Sequence, residues 1–433
     1  MRKINIITAG FACALLHAQT PDISVRTISN YNSWGWDAVV MQNNFIKLAI
    51  IPAIGGRVME YNLGELQSIF VNPSELGKTY TPSPSAPWHN FGGFKTWPAP
   101  QSQWDAGGWP PPPVLDGGSY SFQIDSLSEA SGSVAVTVSS PPEKWFAPNL
   151  RLERKTTAYA GTSRITMDQT FINEGSGAVR WSVWGVTEGI VHHPGKSDYG
   201  NYWVYFPINP KSVYGKTGVN PRANSNAWKG EVAPGVFGVQ YTPDNQLLHA
   251  DPNKGWIVYA DLSDKFIVAK TFTIFEGASY PDNGCRVTVY VGPPDPSYLE
   301  FEVKGPTVEL AANGGRYTFT ENWWAATVRA PVLDVDSVGA VAEGLAYDST
   351  TQKLTAVYGV FYKGTAKVVF ADAHGEILFE GRAHSVSPLS EFQLREAITI
   401  PKGAATVQIR VYDNSNGLVG ILETATVHRL LRK

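Results

Sequence analysis

Short runs in which apolar and polar side chains alternate recur along most of the chain. At 134–139, 164–173, 180–188, 255–259, 266–275, 286–291 and 298–304 the alternating positions are rich in β-branched and aromatic residues, which predicts strands. No window long enough for a helix keeps a helical period, and no internal repeat at propeller or solenoid spacing is present. So much strand without a repeat predicts a large multi-sheet sandwich over roughly residues 25–330. Beyond 330 the bursts shorten, at 355–362, 366–371, 375–380, 391–400, 406–412 and 418–427. Turn residues such as Lys363-Gly364 and Asn414-Ser415-Asn416-Gly417 separate them, which predicts a small β-sandwich of immunoglobulin-like or fibronectin-like shape.

Composition supports this division. All 14 tryptophans lie between Trp34 and Trp324, so the boundary is placed near 330. The tail carries no polar cluster that suggests chemistry and reads as a packing or spacer module, with glycan docking as the alternative. The chain has 41 glycines, 12% aromatic and only 17% charged residues, as expected of an all-β protein with many turns. Its formal net charge of −3 argues against general binding to nucleic acid or an anionic membrane.

Met1-Arg2-Lys3 is basic, the stretch to Leu16 is mostly apolar, and Leu16-His17-Ala18 ends on a small residue. That pattern predicts a secretory signal over residues 1–18, leaving 19–329 and 330–433 as the mature parts and a periplasmic or secreted protein. Removal of the signal takes Cys13 with it and leaves Cys285 alone, so no intrachain disulfide is expected. No other stretch is apolar for long enough to span a membrane as a helix.

Candidate chemistry begins at 298–303. In a strand, Leu299, Phe301 and Val303 enter the core while Tyr298, Glu300 and Glu302 share the other face. Carboxylates two positions apart lie about 7 Å from each other on an extended chain. Like charges on a partly dry face raise at least one pKa and so suit acid–base work near neutrality. The alternative is an ordinary solvated strand face. A second candidate is the pair His192-His193 in a loop bounded by Gly189 and Pro194, since histidine titrates in the right range for proton transfer. A metal site needs three or four convergent ligands, and no spacing here offers them.

The segment 88–109 carries Trp88, Trp97, Trp104 and Trp109 among Lys95, Gln101, Gln103 and Asp105. Flat indoles suit the C–H faces of a sugar ring while amides and charges suit its hydroxyls, so this segment is the main binding candidate. The alternative is that these rings fill the gap between sheets. Lys95 or Arg57 would meet an acidic group on a sugar. Residues 198–228 read as a long loop that rims the same cleft, and Arg151–Lys155 as a solvated strand face. Cys285 reads as a small buried apolar residue. No P-loop, no Rossmann glycine fingerprint and no G-x-S-x-G elbow occurs, so no cofactor is expected.

Several segments resemble the galactose-mutarotase-like (aldose 1-epimerase-like) superfamily, and most closely an uncharacterised bacterial family within it. They are Ile51-Pro52-Ala53-Ile54-Gly55-Gly56-Arg57, Gly92-Gly93-Phe94-Lys95-Thr96-Trp97-Pro98-Ala99-Pro100-Gln101, Phe171-Ile172-Asn173-Glu174-Gly175 with Trp181–Glu188, and Tyr280-Pro281-Asp282-Asn283-Gly284-Cys285 followed by Tyr298–Pro306 and Trp323. Together they cover most of residues 45–325. The chain departs from that pattern after Cys285, where Arg286 and Thr288 stand in the places of an Asn and a Glu. The histidine strand of aldose 1-epimerases also has no counterpart, because Trp181–Glu188 contains no histidine.

The resemblance implies a mutarotase-like β-supersandwich, followed by the small C-terminal sandwich, that binds a sugar or polysaccharide on its concave face. It points to Glu302 as the functional carboxylate, with His192 or His193 as acid partner. Lys95, Trp97, Gln101, Glu188, Trp104, Arg57 and Glu300 would hold the ligand. Aldose 1-epimerisation, glycan cleavage by lyase or hydrolase chemistry, and non-catalytic glycan binding all stay open.

Overall fold

The computed structural model describes residues 22–104, 108–125, 132–192 and 199–431. The segment read as an export signal lies outside the described residues, as do Asp105 and His193. Among the described residues no helix is long and apolar enough to cross a membrane.

Two large antiparallel sheets form most of the molecule. The first has 11 strands and runs Ile23–Ile28, Ala38–Asn43, Ile46–Ile51, Arg57–Leu63, Phe94–Ala99, Val179–Gly189, Leu299–Lys304, Val287–Val291, Gln246–Ala250 and Val219–Pro221, with Val308–Leu310 attached to the side. The second has 10 strands, with Trp256–Asp261, Phe266–Phe272, Gly315–Thr327, Ile165–Asn173 and Leu150–Tyr159 in succession at its middle. The inner faces of the two sheets meet in one core that includes Val58, Phe94, Val183, Leu299, Phe301 and Val303 from the first and Leu152, Met167, Phe171, Tyr259, Val268 and Trp323 from the second. Each such large apolar side chain contributes about 1.5–3 kcal/mol when fully buried.

The strands expected from alternation are present, shifted by a few residues at their ends. Two expectations need correction. Within 198–228, Tyr202–Pro207 is a strand of the second sheet, paired with Val236–Gln240 and Trp256–Asp261. Its apolar residues Tyr202, Val204 and Phe206 point into the core, which a loop could not do. In the Arg151–Lys155 run, Arg154 is fully buried on the inward side of its strand, while Lys155 is exposed. The alternation that carries Leu150 and Leu152 inward carries Arg154 with them.

Arg154 joins a polar seam inside the core. Its guanidinium donates to Gly56 O and to Thr96 Oγ1, and Thr96 Oγ1 donates to Gln169 Oε1 at 2.6 Å. Gln169 Nε2 donates to Glu321 Oε1 at 2.8 Å, Trp323 Nε1 donates to Glu321 Oε2 at 3.0 Å, and Lys270 Nζ stands 3.2 Å from Glu321 Oε2. Burial alone would make either charge untenable, and the pairing compensates it. Glu321 reaches across to Gly185 of the facing sheet, where a Cβ would lie 2.2 Å from Glu321 Oε1. A methyl group at that position would force the Glu321 carboxylate to shift from its partners.

Residues 334–426 form two smaller sheets of 4 and 5 strands around a separate core that includes Leu354, Tyr358, Phe370, Ile409 and Val411. This sandwich covers the outer face of the 10-stranded sheet. Trp256, Val258, Ile267 and Trp324 pack there against Val332, Val335, Val357 and Phe361, and Trp324 stacks on Phe361 at 5.0 Å between ring centroids. The tryptophan pair at 323–324 is thus split between two layers, Trp323 in the main core and Trp324 in this one.

Candidate functional site

Three strands of the 11-stranded sheet are adjacent although distant in sequence. Val179–Gly189 pairs with Phe94–Ala99 on one side and Leu299–Lys304 on the other, and the latter pairs with Val287–Val291. The registers set Val186 opposite both Lys95 and Glu302, Trp184 opposite both Trp97 and Lys304, and Glu188 opposite Glu300. Directly opposed residues share a face. Because Phe94, Val183, Phe301 and Val303 turn into the core, Lys95, Trp97, Trp184, Glu188, Glu300, Glu302 and Lys304 stand together on the outer face. The two-residue period predicted for Tyr298–Val303 is what puts both glutamates there.

The Lys95 ammonium contacts Glu188 Oε1 and lies 3.1 Å from Glu300 Oε1. Trp184 Nε1 donates to Glu302 Oε2 at 2.6 Å. Lys304 Nζ sits 4.3 Å from the centre of the Trp184 ring and 2.6 Å from Asp282 Oδ2. The turn that delivers Asp282 is strained: Asp282 and Asn283 have φ of 49° and 65°, and Gly284 has 105°. Asp and Asn accept that left-handed backbone more readily than other side chains, which gives the Tyr280–Cys285 motif a physical reason.

Four carboxyl groups, Glu188, Glu300, Glu302 and Asp282, face two ammonium groups, Lys95 and Lys304. The excess of acid in a dry setting favours retention of a proton. Burial holds Glu300 well above the usual carboxylate range; Lys95 opposes the rise, and Glu302 and Glu188 reinforce it. Burial also raises Glu302, but the Lys304 charge and the Trp184 indole work against that rise. Both carboxyl groups are thus pushed toward keeping a proton, with the Lys304 charge and the Trp184 indole opposing this at Glu302. The Glu300 side chain keeps 12% of its surface exposed, which gives the cluster an opening to solvent.

An aromatic wall adjoins the charges. Trp97 meets Trp184 edge-on at 5.3 Å and Trp104 at 5.4 Å, and Trp104 stacks on Trp184 at 6.0 Å. Asp116 holds this wall from behind: its Oδ1 accepts from Trp97 Nε1 at 2.8 Å and its Oδ2 from Trp88 Nε1 at 3.1 Å. Arg57 in turn donates to Asp116 Oδ1 at 2.7 Å and to Gly92 O at 2.9 Å. Gly92 itself has φ +83° and packs so closely that a Cβ would lie 2.2 Å from Phe70 O.

Seven of the residues singled out in the sequence are thus brought together by the sheet or its bordering loop: Lys95, Trp97, Trp104, Glu188, Glu300 and Glu302 directly, and Arg57 through Asp116. Arg57 is fully buried and committed to Asp116, so it positions the wall and does not reach a ligand. Gln101 lies in the short turn after the Phe94–Ala99 strand, its amide donating to Gly108 O at 2.7 Å. His192 lines a separate hollow with Tyr199 and Phe70. His193 lies outside the described residues.

Sequence reasoning passed over Trp184, Lys304, Asp116 and His249. His249 Nδ1 is 2.9 Å from Thr288 Oγ1 and 3.4 Å from Cys285 Sγ. Burial, then the Lys304 charge, lowers its pKa to about 4 against the pull of Asp282, so it is neutral at physiological pH. Burial pushes the neighbouring Cys285 thiol up. Thr288 stands opposite both His249 and Glu302, so the place where the resembled family leads one to expect a glutamate is occupied by a hydroxyl that links these two residues' strands. Among the described residues no group of three or more His, Cys, Asp or Glu side chains has a metal-binding arrangement.

No protein-family model matches the chain, and no curated protein matches it. Solved structures do. A galactose mutarotase-like protein from Clostridium acetobutylicum matches with TM-score 0.45 and 12% identity over 71% of this chain and 98% of that one. A galactose mutarotase related enzyme from Lactobacillus acidophilus matches with TM-score 0.42 and 10% identity over 68% of this chain and 100% of that one. A TPR-domain containing protein from Parabacteroides distasonis matches with TM-score 0.47 and 13% identity over 70% of this chain, which spans only 49% of that protein's length. Galactose mutarotase-like proteins, the group to which the sequence motifs point, thus recur among the similar structures.

Proposed function

We propose that the outer face of the 11-stranded sheet binds a sugar and acts on it by proton transfer between carboxyl groups. The observation that carries this reading is the convergence of Glu188, Glu300, Glu302 and Lys95 against the Trp97–Trp104–Trp184 wall, assembled from three separate stretches of chain. Indole faces would take the ring, and the lysine and carboxyl groups its hydroxyls. Glu302 is the base and Glu300 the acid. Glu300 replaces His192 in the acid role because it stands two residues from the base on the same face, whereas His192 lines another hollow.

In the epimerisation form of this chemistry, Glu302 takes the proton of the anomeric hydroxyl while Glu300 protonates the ring oxygen. The ring C–O bond breaks, the open-chain aldehyde rotates, and closure in the reverse sense returns both protons. Each proton-transfer partner contributes typically about 10²–10⁴-fold in rate. Glu302→Gln is accordingly expected to lower conversion at least about 100-fold, followed by NMR of a panel of free sugars and glycans. Conversion at the wild-type rate in that variant refutes the assignment.

A second reading is a non-catalytic glycan-binding protein. It draws on the low exposure of Glu302, 2%, and on the internal partners that already occupy the cluster. Calorimetric binding without any conversion selects it. We further infer export, from the basic and apolar N-terminal segment. N-terminal sequencing of protein recovered outside the cytoplasm is expected to begin at Gln19, and an intact Met1 refutes this.

A further inference from the structure

A second hollow opens on the same sheet, beside the cluster and separate from it. It has a volume of about 620 Å³ and is lined by side chains of the Arg57–Leu63 strand, the 67–76 segment and the 294–297 turn, with His192 and Tyr199 at its edge. That volume falls within the roughly 300–1,000 Å³ of small-molecule sites. We propose that this hollow binds an uncharged sugar unit, so that the ligand of the whole face is a neutral oligosaccharide and not a lone monosaccharide. The proposal rests on the sugar-binding reading above.

The lining has the chemistry for it. Trp34 and Phe70 present aromatic surface, and Asn62 and Gln67 present amides. Asn62 is the telling residue. It is only 5% exposed, it lines the hollow, and its amide has no hydrogen-bond partner among the described residues. A nearly buried amide without a partner in the protein is suited to one in a ligand. The segment that carries Trp34 is strained, with φ of 44° at Asn30, 49° at Asn32 and 59° at Ser33. Such backbone gathers at ligand sites because surrounding structure must hold it.

Charge selects the ligand class. Two carboxylates, Glu60 and Asp295, line the hollow. Glu60 already accepts from Tyr31 Oη at 2.6 Å and from Asn32 Nδ2 at 2.8 Å, and it pairs with Lys47 at 3.3 Å. Among the described residues no lysine or arginine lines the hollow and Lys47 is already paired with Glu60, so the two carboxylates leave the lining unfavourable to a carboxylated or sulfated sugar.

Position selects the ligand length. Phe70 forms part of the hollow's wall and stacks on Tyr298 at 5.6 Å, and its N–H donates to Glu188 O at 2.9 Å. Phe70 and Tyr298 thus join the wall of the hollow to the strands that carry Glu188 and Glu300. The strands Arg57–Leu63, Phe94–Ala99, Val179–Gly189 and Leu299–Lys304 are successive neighbours. At about 4.8 Å per strand, the wall of the hollow formed by Arg57–Leu63 stands about 14 Å from the Leu299–Lys304 strand, so a ligand that reaches from that wall to Glu302 is longer than one sugar ring.

The test is calorimetry of the full chain with neutral gluco-, manno- and xylo-oligosaccharides of increasing length, and with oligogalacturonates as the charged counterpart. Affinity is expected to rise with length for a neutral series. Trp34→Ala and the exposed-site variant Gln67→Ala are expected to weaken the longest oligosaccharide about tenfold and to leave the monosaccharide unchanged, while Trp97→Ala weakens both. Thermal melts confirm that each variant is folded. If monosaccharide binds through Trp97 but the hollow variants bind every length as wild type does, the second subsite is refuted and the first stands. Preference for the oligogalacturonates overturns the neutral assignment. If no sugar of any length binds the wild type, the sugar-binding reading falls and takes this one with it.

Discussion

Glu300→Gln is expected to make the large sandwich more stable at alkaline pH, not less. An acid whose pKa is raised by folding binds its proton more tightly in the folded state, so stability is full below the unfolded pKa and is lost as pH rises toward the folded one. Glu300 is held well above its ordinary value by burial and by Glu302 and Glu188, even with Lys95 beside it. The unfolded glutamate releases its proton near pH 4.3, and each pH unit between there and the folded pKa costs about 1.4 kcal/mol. Glutamine keeps an oxygen for the Lys95 ammonium and has no proton to lose. The stability difference, variant minus wild type, should therefore climb by about 1.4 kcal/mol per pH unit above about pH 4.3 and then level off. For a chain of this size 1 kcal/mol corresponds to about 2 °C or less in melting temperature. Because all 14 tryptophans lie between 34 and 324, denaturant unfolding followed by tryptophan emission reports on the large sandwich and, through Trp256 and Trp324, on its contact with the tail. Parallel wild-type and variant curves from about pH 5 to about pH 8 would show that Glu300 titrates normally and would refute the electrostatic account of the site.

Other outcomes follow from the same geometry. His249 loses stability in the opposite window: with a folded pKa of about 4 against about 6.5 unfolded, the folded state loses about 3 kcal/mol as pH falls from about 6.5 to about 4. His249→Gln should remove that acid sensitivity in the same fluorescence titration. Gly185→Ala drives a methyl group onto Glu321, away from its 2.2 Å approach, and should destabilise the fold by at least about 1–3 kcal/mol in urea unfolding. Arg57→Met leaves the buried Asp116 carboxylate without its cation and should cost about 3–5 kcal/mol, with a loss of sugar affinity if the variant is assayed below its melting temperature.

Faces were legible in the sequence, and neighbours were not. Alternation alone put Glu300 and Glu302 on one side and Leu299, Phe301 and Val303 on the other, as the strand shows. It could not say that Phe94–Ala99, Val179–Gly189 and Leu299–Lys304 lie side by side, because the order of strands in this sheet departs from their order in the chain. Trp184 and Lys304 become site residues only through that adjacency, and Asp116 only through a side-chain bond to Trp97. The inward turn of Arg154 contradicted its charge but obeyed its position between Leu152 and Thr156, both buried. Where sequence motifs resembled a known family, the structure supplies local causes for two of them, the left-handed turn at Asp282–Gly284 and the close packing of Gly92 on Phe70.

The apolar layer shared with residues beyond 330 has a practical consequence for anyone who trims this chain. Cutting there would not liberate a self-sufficient large sandwich. It would bare Trp256, Val258, Ile267 and Trp324 as one greasy plate, and such a plate invites clumping in place of crystals. The tail thus acts as a built-in escort, and the two parts should be expressed, purified and engineered as one.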